Sequence, residues 1–237
     1  MNQLANLIIA AVLLLPAQHA AAWSLDRSII EMRAGQPMRQ DVTVRNPTDQ
    51  TMFFEVTVLE VFDPGTEQER REVVRNPEEI GFIATPARLV VPPQSRRLVR
   101  MVNLDGHGDT ERVYRVNVTP VRPREEELAE MELQAPQFGL SIVIAHQVLV
   151  FIGPEKADVS LKGSREGKVL HLRNEGNVNL ALSQGEQCPR GGDEDSCQSV
   201  AVPRLYPGNE VRVELPFDQA VDFRMRAAGR WSRVRFD

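Results

Sequence analysis

Residues 138–154, FGLSIVIAHQVLVFIGP, constrain the fold more than any other stretch of the chain. In an extended segment successive side chains point to opposite faces. Leu140, Ile142, Ile144 and His146 therefore share one face, and Ser141, Val143, Ala145 and Gln147 the other. Residues 148–152 are apolar on both faces, as in a strand that runs through a covered sheet. Residues 140–152 at about 3.3 Å each predict a strand of roughly 43 Å, beyond the usual length. Two readings fit: a core strand of a single sandwich, or a strand shared between two packing partners with its first half exposed.

The chain begins with an apolar run, residues 7–15, followed by Pro16 and then Ala20, Ala21 and Ala22. This pattern predicts an export signal over residues 1–22, cleaved near Ala22, although no Lys or Arg precedes the apolar run. About ten apolar residues are too few to span a bilayer. No later stretch is more apolar, so no stable membrane insertion is expected. Export to an oxidising compartment also governs Cys188 and Cys197, the only two cysteines, in CPRGGDEDSC. There a local disulfide is favoured over free thiols, and two cysteines alone cannot build a structural zinc centre.

Several function classes find no support. The net charge is −5 with the signs interspersed, and the short run Arg96, Arg97, Arg100 is interleaved with Leu98 and Val99, so no nucleic-acid partner is expected. His19, His107, His146 and His171 lack a second histidine or cysteine at ligand spacing, and no nucleophile, metalloprotease, P-loop or dinucleotide motif is present. Residues 193–195 could attract calcium, but a solvated loop closed by the disulfide is the simpler account. The expectation is a protein that is not an enzyme and carries no cofactor or metal.

From Ser24 to Thr119 the hydrophobic pattern has period two and is broken by turn signals. Strands are predicted at 38–45, 53–62, 82–86, 88–91, 97–103 and 113–121, with a mobile hairpin or loop at 66–79. The run 125–134, EEELAEMELQ, has an apolar set at Leu128, Met131 and Leu133 but five glutamates, and reads as a solvated, mobile loop. Residues 153–156 form the best boundary. After it, strands are predicted at 158–161, 168–174, 178–183, 199–205, 210–215, 222–227 and 231–236, with turns at 163–167 and 207–209. The expected fold is all-β, with two immunoglobulin-like β-sandwich domains in tandem set at an angle around a cleft. They would span residues 23–152 and 157–237, joined by the linker 153–156.

Taken in order, several motifs resemble those of the periplasmic pilus-assembly chaperones of the chaperone–usher pathway. Ser24-Leu25-Asp26-Arg27 is similar to that family's first strand. Phe82 and Pro86, with Leu89, Pro93 and Arg100, are similar to its F-x-x-x-P…L…P…R stretch. Glu111-Arg112-Val113-Tyr114-Arg115-Val116-Asn117-Val118 is similar to its E-S-L-Y-W-L-N-V signature. The run from Leu140 through Phe151 to Pro154 is similar to its last strand, ending in K-L-F-Y-R-P.

The resemblance implies strand donation to pilus or fimbrial subunits that lack one strand, with Leu140, Ile142, Ile144 and His146 on the donated strand. It also implies delivery to an outer-membrane usher, a periplasmic location, and self-association of the free protein through its exposed strand. Two basic residues that hold the subunit carboxylate in the main branch of the family are missing: Leu149 stands for one and Ile29 or Ile30 for the other. Gly153 replaces a third basic residue, which leaves Glu111 without the partner that the family gives it. These departures resemble the archaic or alternative branches. Arg115, then Arg112, then Arg27 are the candidate carboxylate anchors. The alternative reading is an exported immunoglobulin-like structural or adhesion subunit.

Overall fold

The computed structural model describes residues 22–74, 81–130, 144–191 and 196–237. In the first half lie β1 (Ser24–Leu25), β2 (Ile29–Met32), β3 (Arg39–Asn46), β4 (Met52–Phe62), β5 (Arg70–Val73), β6 (Phe82–Thr85), β7 (Arg88–Val91), β8 (Ser95–Asn103) and β9 (Arg112–Val121). A short helix, α1 (Glu125–Glu130), and β10 (His146–Ile152) complete it. A sheet ordered β1-β3-β8-β6 packs on a sheet ordered β2-β10-β9-β4-β5, with β7 also paired to β4. Alternation along these strands turns Val42, Val44, Phe54, Val99, Tyr114, Val116, Val148 and Val150 into one buried core.

The second half contains β11 (Leu161–Glu166), β12 (Val169–Asn174), β13 (Ala181–Gln187), β14 (Gln198–Val200), β15 (Glu210–Glu214), β16 (Val221–Ala227) and β17 (Arg230–Phe236). Its sheets are β11-β12-β15 and β14-β13-β16-β17, around a core of its own that includes Leu170, Leu180, Leu205, Val221 and Phe223. The two sandwiches share a device. Buried Asn46 and Asn174 each accept a hydrogen bond at Oδ1 from the amide two residues on, both at 3.0 Å. Each then donates from Nδ2 to a carbonyl further along, Val91 at 3.0 Å and Leu205 at 3.0 Å, tying a strand end to the loops beyond it. Among the described residues no helix is long and apolar enough to cross a membrane.

The two-sandwich, all-β architecture matches the sequence expectation, with local corrections: the strand expected at 199–205 ends at Val200, the one expected at 178–183 starts at Ala181, and four others follow. The run from 125 was expected as a loop, yet it starts with α1. Glu127 accepts hydrogen bonds from the Arg124 amide at 2.7 Å and from Arg88, and three glutamates occupy the first turn, where the helix dipole favours negative charge. Residues 163–167 were expected as a turn, yet Gly163 lies inside β11. A Cβ there would overlap the Phe236 ring, so its glycine permits close packing and only Gly167, at φ 58°, makes the turn. The strand expected at 158–161 begins at Leu161 instead. The long last strand of the first sandwich begins at His146, with Ile144 and Ala145 outside it. Leu140 and Ile142 lie outside the described residues, as do residues 193–195.

Candidate functional site

β10 lies inside the large sheet, but its two neighbours cover it unequally. It pairs antiparallel with β9 along its whole length, from His146 opposite Val118 to Ile152 opposite Arg112. With β2 it pairs in parallel only from Leu149 opposite Ile29 to Ile152 opposite Met32, preceded by a bond from the Leu149 amide to the Ser28 carbonyl at 2.9 Å. Upstream of Ser28 the chain has crossed to the other sheet. The Asp26 amide donates to the Thr43 carbonyl at 3.2 Å, and Asp26 Oδ1 accepts from the Thr43 amide at 2.9 Å. Among the described residues, β10 therefore has a strand on one side only from His146 to Val148. Main-chain groups alternate sides along a strand, so those of Gln147, two residues before Leu149, face this open edge.

The side chains on the core face of β10 run off the end of the core. Val148 and Val150 are fully buried and Ile152 nearly so, while Ile144, next in the alternation beyond His146, is 57% exposed. His146 stands between the two. Its ring centroid is 4.3 Å from that of Trp23, which lies 4.7 Å from Phe54. His146 thus closes the rim of its own core, where the sequence pattern grouped it with the outward residues. Within β10 the alternation places His146, Val148, Val150 and Ile152 on one face, and the position of Trp23 marks where the core under that face ends.

The opposite face of β10 looks out of the sandwich. One row across the sheet reads Ile29, Leu149, Arg115, Leu59 and Val73 on five successive strands. Arg115 Nη1 donates to Gln147 Oε1 at 2.7 Å, and Gln147 Nε2 donates to Asn117 Oδ1 at 2.6 Å. Arg115 Nη2 is 3.8 Å from Glu69 Oε1, and its buried Nε has no partner. A hydrogen bond from the Gly65 amide, then one from Arg71, holds the Glu69 carboxyl below its usual range. Arg112, three residues away, lies on the other face of β9. Its Nε donates to Glu60 Oε1 and its Nη1 to Asp105 Oδ2, each at 3.1 Å. Two carboxylates therefore answer Arg112, whereas Arg115 has one at long range. Arg27 is exposed in the link between β1 and β2, 3.7 Å from Asp26.

Beside that row the two sandwiches meet. Val61, Val113 and Phe151 pack with Tyr206 of the second, and Leu149 lies against them. Arg33 Nη1 donates to the Ala228 carbonyl at 2.9 Å, and Arg226 is 2.9 Å from Glu31. Glu111 was expected to lack a partner, and it has one: Asn179 of the second sandwich donates to it from the backbone amide at 3.0 Å and from Nδ2 at 2.9 Å. Arg204 in turn donates to Asn179 Oδ1 and lies over the Phe151 ring. Burial pushes the Glu111 carboxyl up to about 7, against the opposing pull of the Asn179 bonds and the Arg204 charge. Nothing in the local sequence could mark Asn179, because the pair forms across 68 residues.

Cys188 and Cys197 are bonded to each other, as expected. Among the described residues no cluster of His, Cys, Asp and Glu could hold a metal ion. His107 is committed to the Gly153 carbonyl, 2.7 Å from its Nδ1.

The architecture recurs in solved structures. The class 5 fimbriae chaperone CfaA is 19% identical with a TM-score of 0.64, over 91% of this chain and 99% of that one. The E. coli chaperone DraB is 16% identical with a TM-score of 0.60, over 91% and 95%. A chain from the complex of Salmonella enterica SafA pilin with the SafB chaperone is 16% identical with a TM-score of 0.60, over 93% and 97%. Identities this low carry the fold alone. No curated protein sequence matches the chain. Residues 22–158, more than half of the chain, match the family described as pili and flagellar-assembly chaperone, PapD N-terminal domain. On that match the chain belongs to the pili and flagellar-assembly chaperones.

Proposed function

We propose that this protein is a periplasmic chaperone that captures pilus or fimbrial subunits by adding the edge of its β10 segment to them, and passes them to an outer-membrane usher. One observation carries the reading: β10 has an open main-chain edge ahead of Leu149, and the apolar Ile144 just before it is exposed. An incomplete partner sheet could pair with that edge and take Ile144 into its own groove. Solved structures of the same fold include complexes of a chaperone with a pilin and with a tip adhesion subunit. The alternative, an exported structural or adhesion subunit, is not favoured by the family match.

In this reading Leu140, Ile142 and Ile144 fill the subunit groove, and His146 closes the chaperone's own rim behind them. Arg115 receives the subunit carboxylate, supported by its unpartnered Nε and by its place next to Leu149 on the cleft side. Residues 1–22 are removed on export; Trp23, buried in the first core, then stands at the mature start. The domains run from 23 to 152 and from 157 to 237, with 153–156 between them. The test is co-expression with a subunit lacking its last strand, followed by purification from the periplasm. A stable one-to-one complex, lost in Ile144→Asp, is the expected result. A subunit that accumulates equally well without the chaperone overturns the reading.

A further inference from the structure

The sheet β14-β13-β16-β17 ends at β17, which has no hydrogen-bonded strand on its outer side among the described residues. Residues 221–236 carry five arginines against one acidic residue, Asp222, in a chain of net charge −5. Arg224 and Arg233 stand directly opposite each other across β16 and β17, and Arg226 stands opposite Trp231. All four lie on the outer face, because Val221, Phe223, Met225 and Ala227 turn into the core. Trp231 is 53% exposed, and the Arg224 guanidinium lies 4.8 Å from its ring centroid.

Like charges directly opposite one another weaken a strand pair. Arg226 is answered by Glu31 and Arg235 by Asp222, each at 2.9 Å. Among the described residues no carboxylate pairs with Arg224 or Arg233. Charge on an edge strand guards it against unwanted pairing. That accounts for arginines on β17, but not for arginine facing arginine, nor for a large exposed aromatic beside them.

We propose that this face docks an acidic, extended polypeptide segment that lies along β17, bridges Arg224 and Arg233 with its carboxylates and covers Trp231. The edge of β17 offers main-chain groups at strand spacing, with Trp231, Arg233 and Arg235 at two-residue intervals on one face. A lipid surface matches neither spacing. Arg224, Trp231 and Arg233 stand on β16 and β17 of the second sandwich, away from the β10 edge, so the docking uses none of the residues of strand donation.

The test uses the mature protein, poly-L-glutamate at low ionic strength and tryptophan fluorescence. Trp23 is buried, so the signal reports on Trp231. Saturable binding that weakens with added salt is expected. The double variant R224E/R233E keeps like charge facing like charge, so its melting temperature should hold while affinity falls about tenfold or more. W231F should lose the signal, and R96E/R97E, which reverses exposed arginines on β8, should bind as the parent does. Any of three results overturns the proposal: equal loss in R96E/R97E, binding of phosphatidylglycerol vesicles but not of polyglutamate, or no binding by the parent together with self-association of R224A/R233A. The last would leave edge protection as the only role of these arginines.

Discussion

At the residue scale, environment separates side chains that sequence treats alike. Arg112 and Arg115 sit three apart in one strand, yet one meets two carboxylates and the other keeps a buried donor unpartnered. Arg115→Ala should leave the free protein's melting temperature unchanged and reduce subunit recovery. The loss of one charge-assisted contact is about 1.5–3 kcal/mol. Arg112→Ala should do the reverse, costing about 1 kcal/mol of stability by removing the cation that Glu60 and Asp105 share, with capture intact. Equal recovery in the two variants would remove Arg115 as the anchor. Glu111 makes a pH prediction. Its folded pKa of about 7 lies above the ordinary 4.5, so the folded state holds a proton that the unfolded chain releases. Its contribution is fully present below about pH 4.5 and is lost as pH rises through 7, up to about 3 kcal/mol. Glu111→Gln should flatten this part of the profile, so thermal melts of the two proteins should diverge between pH 5 and pH 8.

At the element scale, β10 is one strand with two environments. Val150 lies fully buried on the core face of β10, whereas Ile144, two residues ahead of the strand, is mostly exposed. Val150→Asp should therefore unfold the first sandwich, since an unpaired buried carboxylate costs about 4 kcal/mol or more. Ile144→Asp should shift the free protein's melting temperature by no more than a few degrees while abolishing capture. If both variants melt alike, Ile144 belongs to the core and donates nothing. Helix α1 shows the same dependence on surroundings. Five glutamates in ten residues argue for a solvated loop, but Arg88, 39 residues upstream on β7, fixes Glu127 and holds its carboxyl down to about 2.

At the scale of the whole molecule, two small cores are joined by polar contacts and the apolar cluster around Phe151 and Tyr206. The second sandwich lacks the long strands of the first and carries the disulfide. Closing a loop of separation 9 contributes about 2.5 kcal/mol by restricting the unfolded chain. Replacing both cysteines by serine should lower the melting of the second sandwich by several degrees. Subunit capture, which the first sandwich supplies, should persist below that transition. Calorimetry that shows one unchanged transition would mean the disulfide adds nothing to stability.

The alternation of residues 146–152, the turn clusters between strands and the Cys188–Cys197 pair were legible in the sequence, because each depends on neighbours within a few residues or on a composition that averages over them. They determined an all-β chain, two sandwiches and the face of β10 on which Val148 and Val150 lie. Where that face leaves the interior was decided by Trp23, which packs on His146 from the far end of the chain. The partner of Glu111, the split between Arg112 and Arg115, and the facing pair Arg224 and Arg233 were likewise decided only by the fold. Strand register and domain contact bring together residues tens of positions apart, and no local pattern encodes which of them will meet.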